Sequence, residues 1–131
     1  MSHEAQGTFV VKLTPRKLSD PEDAPSIGRM TIDKTFHGDL EAKSQGEMLA
    51  AGTPIQGSAG YVAIERVTGI LAGRQGSFVL QHNGTANRGA LSLTVRVVPD
   101  SGTEALTGLS GEMTITSGPG QHTYKLTYDL A

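Results

Sequence analysis

The sequence predicts an all-β chain, a single domain built as an eight-stranded antiparallel β-barrel. Two sets of residues lead there first. Eight segments have the alternation or composition of strands and recur at fairly regular spacing between turn signals. No segment carries the 3.6-residue periodicity of an amphipathic helix. Composition agrees: glycine makes up 17 of 131 residues and charged residues 18%, against roughly 7% and 25% in average chains. Many glycines and few charges suit many turns and suggest strands buried on both faces. Closing eight antiparallel strands removes exposed edges, and the interior then holds packed side chains or one small ligand.

The elements follow in order. Residues 1–6 are read as a flexible N-terminus, and Gln6–Thr14 as a strand with Phe9, Val11 and Leu13 on one face. Pro15–Gly28, with prolines at 15, 21 and 25 among Asp20, Glu22 and Asp23, is a long loop expected near a barrel opening. Arg29–Ala51 reads as a hairpin: Met30, Ile32, Lys34 and Phe36 alternate with polar residues, His37-Gly38-Asp39 turns the chain, and small residues such as Ala42, Ser44 and Gly46 mark a crowded return strand. Gly52–Gly60 is a loop. Tyr61–Ala72 and Ser77–Thr85 form the next hairpin, and Asn87-Arg88-Gly89 turns into a strand carrying Leu91, Leu93, Val95 and Val97. Asp100–Gly111 is a loop with room for one helical turn. Glu112–Thr116 and His122–Leu130 close the chain, the latter with Tyr124, Leu126, Tyr128 and Leu130 on one face.

Composition narrows the function classes. A net charge of −2, no basic stripe and 5% aromatic residues argue against a nucleic-acid surface. The absence of cysteine removes thiolate metal sites, disulfides and cysteine nucleophiles, and fits a cytoplasmic setting. The start "MSHEAQGTF" lacks the regions of a secretory signal, and no apolar run approaches the roughly 18 residues of a membrane helix. His3, His37, His82 and His122 lack ligand spacing, so neither a metal site nor a cofactor is expected. "GILAGRQG" joins two strands rather than a strand and a helix, which disfavours a phosphate loop, and no Gly-x-Ser-x-Gly elbow occurs.

The strings "ERVTGILAGRQGSFVLQHNGT", "VVPDSGTEALTGLSGEMTI" and "HTYKLTYDL", with the hairpin "KTFHGDLEA", resemble the bacterial family catalogued as domain of unknown function 3224. The resemblance runs from about Gln6 to the C-terminus. It implies a barrel similar to that of allene oxide cyclases, which is also a lipocalin-like architecture, with a central cavity. Allene oxide cyclases cyclise an epoxide derived from a fatty acid; none of their catalytic residues maps onto this chain. The family itself has no established activity.

One polar pair breaks the apolar pattern. A two-residue turn at Arg74-Gln75 would set Leu71 opposite Phe78 and Val67 opposite His82. Glu65 and His82 then share the interior face with Tyr61, Ala63, Val67, Phe78 and Leu80, as diagonal neighbours on adjacent strands. A register slip of one residue would bring Arg66 and Gln81 inside instead. A charge there is costly unless paired or hydrated. The plain reading is a buried ion pair or hydrogen bond without chemistry. The functional reading is a hydrated cavity in which Glu65 and His82 orient a ligand or move a proton, with Tyr61 at the barrel mouth and Phe78 on the wall. Tyr124 and Tyr128 are read as core residues.

Three functions fit: binding of a small apolar molecule in the barrel, cofactor-independent isomerisation or cyclisation in the same cavity, and an oligomeric structural or interaction domain with a packed barrel. A homo-oligomer is compatible with each.

Overall fold

A computed structural model describes residues 2–16, 27–118 and 121–130. Eight strands follow one another: β1 (His3–Arg16), β2 (Ile27–Gly38), β3 (Leu40–Gly52), β4 (Ala59–Leu71), β5 (Arg74–Asn87), β6 (Ala90–Val97), β7 (Leu109–Gly118) and β8 (Gln121–Leu130). Each pairs antiparallel with the next, and β8 pairs back onto β1, so the sheet closes into an up-and-down barrel. A 3₁₀ turn, Glu104–Leu106, lies between β6 and β7.

The period of two sorts the side chains. Phe9, Ile32, Phe36, Leu40, Val67, Leu80, Val95, Met113 and Leu126 point inward and are buried. Lys12, Asp33, Lys43, Arg66, Arg96 and Lys125 point outward and are exposed. Burial is therefore one-sided, contrary to the expectation from composition. Part of the low charge content is made up by outward apolar residues, among them Val10, Leu49, Val62, Ile64 and Ile70.

The inward glycines have a different task. Gly46 faces Glu65 across the β3–β4 pair. A Cβ built there would lie 2.6 Å from the Glu65 Cα and 2.8 Å from its Cβ, closer than atoms approach. Gly84 faces Tyr61, and a Cβ there would fall 2.5 Å from the Tyr61 ring. The missing side chains let the two polar residues fold over neighbouring backbone.

Three boundaries differ from expectation. β1 begins at His3, because residues His3–Phe9 pair with Tyr128–His122 and thereby close the barrel, so residues 3–5 are strand rather than a flexible end. Pro15 and Arg16 belong to β1, and Ile27 and Gly28 to β2; the rest of the expected proline-rich loop, 17–26, lies outside the described residues. The β4–β5 turn is Ala72-Gly73, not Arg74-Gln75. Its two central residues have φ of 48° and 84°, the type I′ conformation that matches the twist of a hairpin and demands positive φ twice. Gly73 fills one such position without strain, whereas Arg74-Gln75 would fill both with side-chain-bearing residues. Pairing is accordingly Leu71↔Arg74, Val67↔Phe78 and Ala63↔His82. The shift along β5 is four residues, an even number, so every side chain keeps its face.

Ala72 carries the cost of that turn, since a Cβ at positive φ is strained. Ala72→Gly relieves the strain and Ala72→Asn tolerates it. Either is expected to raise stability by about 0.5–1 kcal/mol in urea denaturation; a loss of stability in both would contradict the assigned turn.

Candidate functional site

The barrel interior divides into two halves. One is packed solid by Phe36, Leu40, Leu71, Phe78, Leu80 and Leu109, with Leu106 of the 3₁₀ turn folded into the same cluster. The other holds a cavity of about 490 Å³. Its wall is largely apolar, from Val11, Ile32, Met48, Leu93 and Ile115 among others, and is interrupted by Lys34, Tyr61, His82 and, nearer the rim, Ser117 and His122. Strand ends place its mouth: Leu13 near the end of β1, Ala59 opening β4, Ala86 near the end of β5 and Leu91 near the start of β6 all line it. The wall is also split. β6 and β7 pair only through Val95↔Met113 and Arg96↔Glu112, so beyond Val95 the β6 segment with Leu93 and Leu91 stands apart from β7.

A polar line crosses four strands at the floor of this cavity. Lys34 on β2 sits directly opposite Ser44 on β3. Glu65 on β4 is diagonal to Ser44, and His82 on β5 is diagonal to Glu65. Glu65 is 0% exposed. Its Oε2 accepts from Lys34 Nζ at 2.7 Å and pairs with His82 Nε2 at 2.7 Å, while Oε1 accepts from Ser44 Oγ at 2.8 Å. On the far side of the imidazole, His82 Nδ1 lies 3.3 Å from the Tyr61 hydroxyl. The Lys34 ammonium also lies over the Phe9 ring, 4.9 Å from its centroid, and 5.7 Å from that of Phe36; such cation–π contacts add to its stabilisation where water is absent.

Burial alone would raise the Glu65 pKa. The hydrogen bond from His82 and the charge and hydrogen bond of Lys34 outweigh it and hold the carboxyl at about 2, against an ordinary 4.5. Glu65 is thus a carboxylate at neutral pH. It cannot donate, so the proton between it and His82 belongs to Nε2, while Nδ1 lies within hydrogen-bond distance of the Tyr61 hydroxyl. Burial, and secondarily the Glu65 charge, push the Tyr61 pKa up. Tyr61 is therefore a neutral phenol. The result is a hydrogen-bonded chain, Tyr61–His82–Glu65, anchored by Lys34 and Ser44. Chemically it can orient a polar group at the cavity floor or pass a proton along the chain.

The structure brings Glu65, His82 and Tyr61 together. Tyr61 and His82 line the cavity, whereas Glu65 lies behind them and touches the cavity only through its partners. Phe78 is corrected: it faces inward but sits opposite Val67 in the packed half, because the true turn moves it four residues from the expected position. Lys34 and Ser44 were not assigned to the site from sequence. Lys34 had a signal, a lysine in the inward stripe between Ile32 and Phe36, which needs an anion. Ser44 had none beyond its size. Tyr124 lies in the packed half, its hydroxyl accepting from Leu40 N at 2.9 Å and lying 3.2 Å from the His37 and Leu40 carbonyls; Tyr128 packs against His3. Arg66 and Gln81 face outward. No group of three or more His, Asp or Glu side chains suited to a metal occurs among the described residues. No helix there is long and apolar enough to cross a membrane.

Glu65→Gln leaves Lys34 buried without its counter-charge and is expected to cost about 3–5 kcal/mol in urea denaturation. Combining it with Lys34→Met removes both charges, so the double variant should be more stable than Glu65→Gln alone. Strict additivity of the two single effects would rule out the ion pair. Stability should also depend on acid. The folded pKa of Glu65 lies below the unfolded value, so its contribution is complete above pH 4.5 and is lost as pH falls toward about 2. That contribution is on the order of 3 kcal/mol. Glu65→Gln should flatten that part of the stability–pH curve, and an unchanged curve would refute the assignment.

Comparison with known proteins places the chain. The family described as "Protein of unknown function (DUF3224)" matches residues 5–128. A crystal structure of a protein of unknown function from the same family, from Shewanella oneidensis MR-1, superimposes with a TM-score of 0.93 at 50% sequence identity, covering 100% of this chain and 98% of that one. No curated protein matches. With a match over nearly its whole length and a half-identical relative of the same fold, the chain belongs to the DUF3224 family.

Proposed function

We propose that the protein binds a small, mostly apolar molecule in the open half of its barrel. The observation that supports this best is the cavity: about 490 Å³, apolar over most of its wall, with a few polar groups gathered at one place. Small-molecule sites share that size range and that division between apolar walls and few convergent polar groups. A barrel serving only as a structural unit has no use for an unfilled half, since unfilled apolar volume lowers stability. The gap between β6 and β7 offers a side entrance, and its flanking Leu91 and Leu93 suit apolar traffic.

A second reading, cofactor-independent isomerisation or cyclisation, draws on the Tyr61–His82–Glu65 chain. An imidazole whose Nε2 proton is held by a carboxylate is oriented for proton transfer through its other nitrogen.

Native mass spectrometry of freshly purified protein is expected to detect a bound small molecule or, after delipidation, uptake of the neutral dye Nile red. Ala86→Phe, which fills the cavity near its mouth, should abolish either signal while leaving the unfolding free energy within about 1 kcal/mol of the parent. Absence of any bound species together with failure to take up the dye would overturn the binding reading. Conversion of a bound compound by the parent protein, lost in His82→Gln with binding retained, would favour the catalytic one.

A further inference from the structure

We propose that the molecule held in the cavity presents an oxygen acceptor, a carbonyl or a carboxylate, to the Lys34 ammonium and extends its apolar part toward the mouth. This rests on the binding reading above and specifies the chemistry of its ligand.

The count of donors comes first. An ammonium carries three N–H donors and no acceptor. Glu65 Oε2, at 2.7 Å, takes one of them, and no second hydrogen bond reaches Nζ from the described residues. The other two protons have only the rings of Phe9 and Phe36, whose centroids lie 4.9 and 5.7 Å away. A ring face partly compensates a buried ammonium but is weaker than an oxygen acceptor. The count is independent of the imidazole. His82 contacts Glu65 and Tyr61 rather than Lys34, so neither its charge nor the direction of its bond to Tyr61 uses a proton of Lys34.

Position is the second argument. Lys34 lines the cavity, whereas the Glu65 carboxylate is 0% exposed and enclosed by Lys34, Ser44 and His82. A ligand at the floor thus meets the donor end of the ion pair and not its acceptor end. Phe9, the nearer of the two rings, shares the cavity wall with Lys34, so on that side the ammonium adjoins open volume. Val11 sits directly opposite Lys34, and Leu13 opposite Ile32, two residues nearer the mouth. On β3, Gly46 faces Ile32 with no side chain. An acceptor at Lys34 therefore leaves the rest of the molecule along Val11, Ile32 and Leu13. A ketone, an ester and a fatty carboxylate share this chemistry.

Three probes test it at neutral pH: octan-2-one, its isostere 2-methyloct-1-ene with a methylene in place of the oxygen, and octanoate. Headspace gas chromatography measures binding of the first two, and calorimetry that of octanoate. The ratio of ketone to alkene affinity is compared between proteins, which cancels their unequal solubility in water. It is expected to be about ten- to hundredfold higher in the parent than in the double variant Glu65→Gln with Lys34→Met, the worth of a hydrogen bond to a charged donor. The parent alone gives a second readout, which stands whether or not the double variant folds. The nitrogen-15 signal of the Lys34 ammonium should move on saturation with octan-2-one or octanoate and move less with the alkene. Octanoate binding more tightly than the ketone would identify a carboxylate as the acceptor, and weaker binding a neutral carbonyl. An unchanged affinity ratio in the double variant, or a Lys34 signal that responds equally to ketone and alkene, would overturn the inference while leaving the binding reading intact. Failure of all three probes to bind would overturn both.

Discussion

One buried carboxylate organises the interior of this barrel. Glu65 is a charge in a place where charge is expensive, and three neighbouring strands are committed to satisfying it. β2 supplies the ammonium, β3 a hydroxyl and β5 an imidazole. Because each partner comes from a different strand, the ion is satisfied only when β2 through β5 are paired in register. A slip of one residue would turn Lys34 or His82 to solvent and strand the carboxylate. An apolar core could tolerate some misalignment, whereas a polar cluster of this kind specifies one arrangement.

The same cluster separates two kinds of interior. On one side of it, Phe36, Phe78, Leu80 and their neighbours fill the space between strands. On the other, small inward residues such as Ala50, Ala63 and Ala86 leave volume unfilled, and the cavity occupies it. The polar line is thus the floor of the open half. Tyr61 extends it into the cavity, resting on the bare backbone of Gly84, so the outermost hydroxyl is held by packing beneath it as well as by His82 beside it.

The fold was largely legible from sequence because a strand's period of two is a local property. Met30-x-Ile32-x-Lys34-x-Phe36 or Tyr124-x-Leu126-x-Tyr128 announces its inward face without knowledge of any partner, and the eight such runs with turn signals between them fit an up-and-down barrel. The N-terminal edge was not legible: residues before Gln6 have no strong alternation, and they are extended because β8 provides a partner for them. The expectation of two-sided burial failed for a related reason. Composition counts residues but does not say which face they occupy.

The candidate site shows where local information ends. Parity along the chain determined by itself that Tyr61, Glu65 and His82 face inward, and an even error in the hairpin turn could not disturb that. Depth along the barrel axis is different. It depends on register, register depends on the backbone geometry of the Ala72-Gly73 turn, and so Phe78 moved from the expected cavity wall into the packed half. The partners of Glu65 were beyond reach for the same reason. Lys34 and Ser44 are separated from it by 31 and 21 residues, and only the pairing of three strands carries them to one point. The sequence alone settled which residues are interior; tertiary structure decided which of them meet, because periodicity is written along a strand and contact is made across strands.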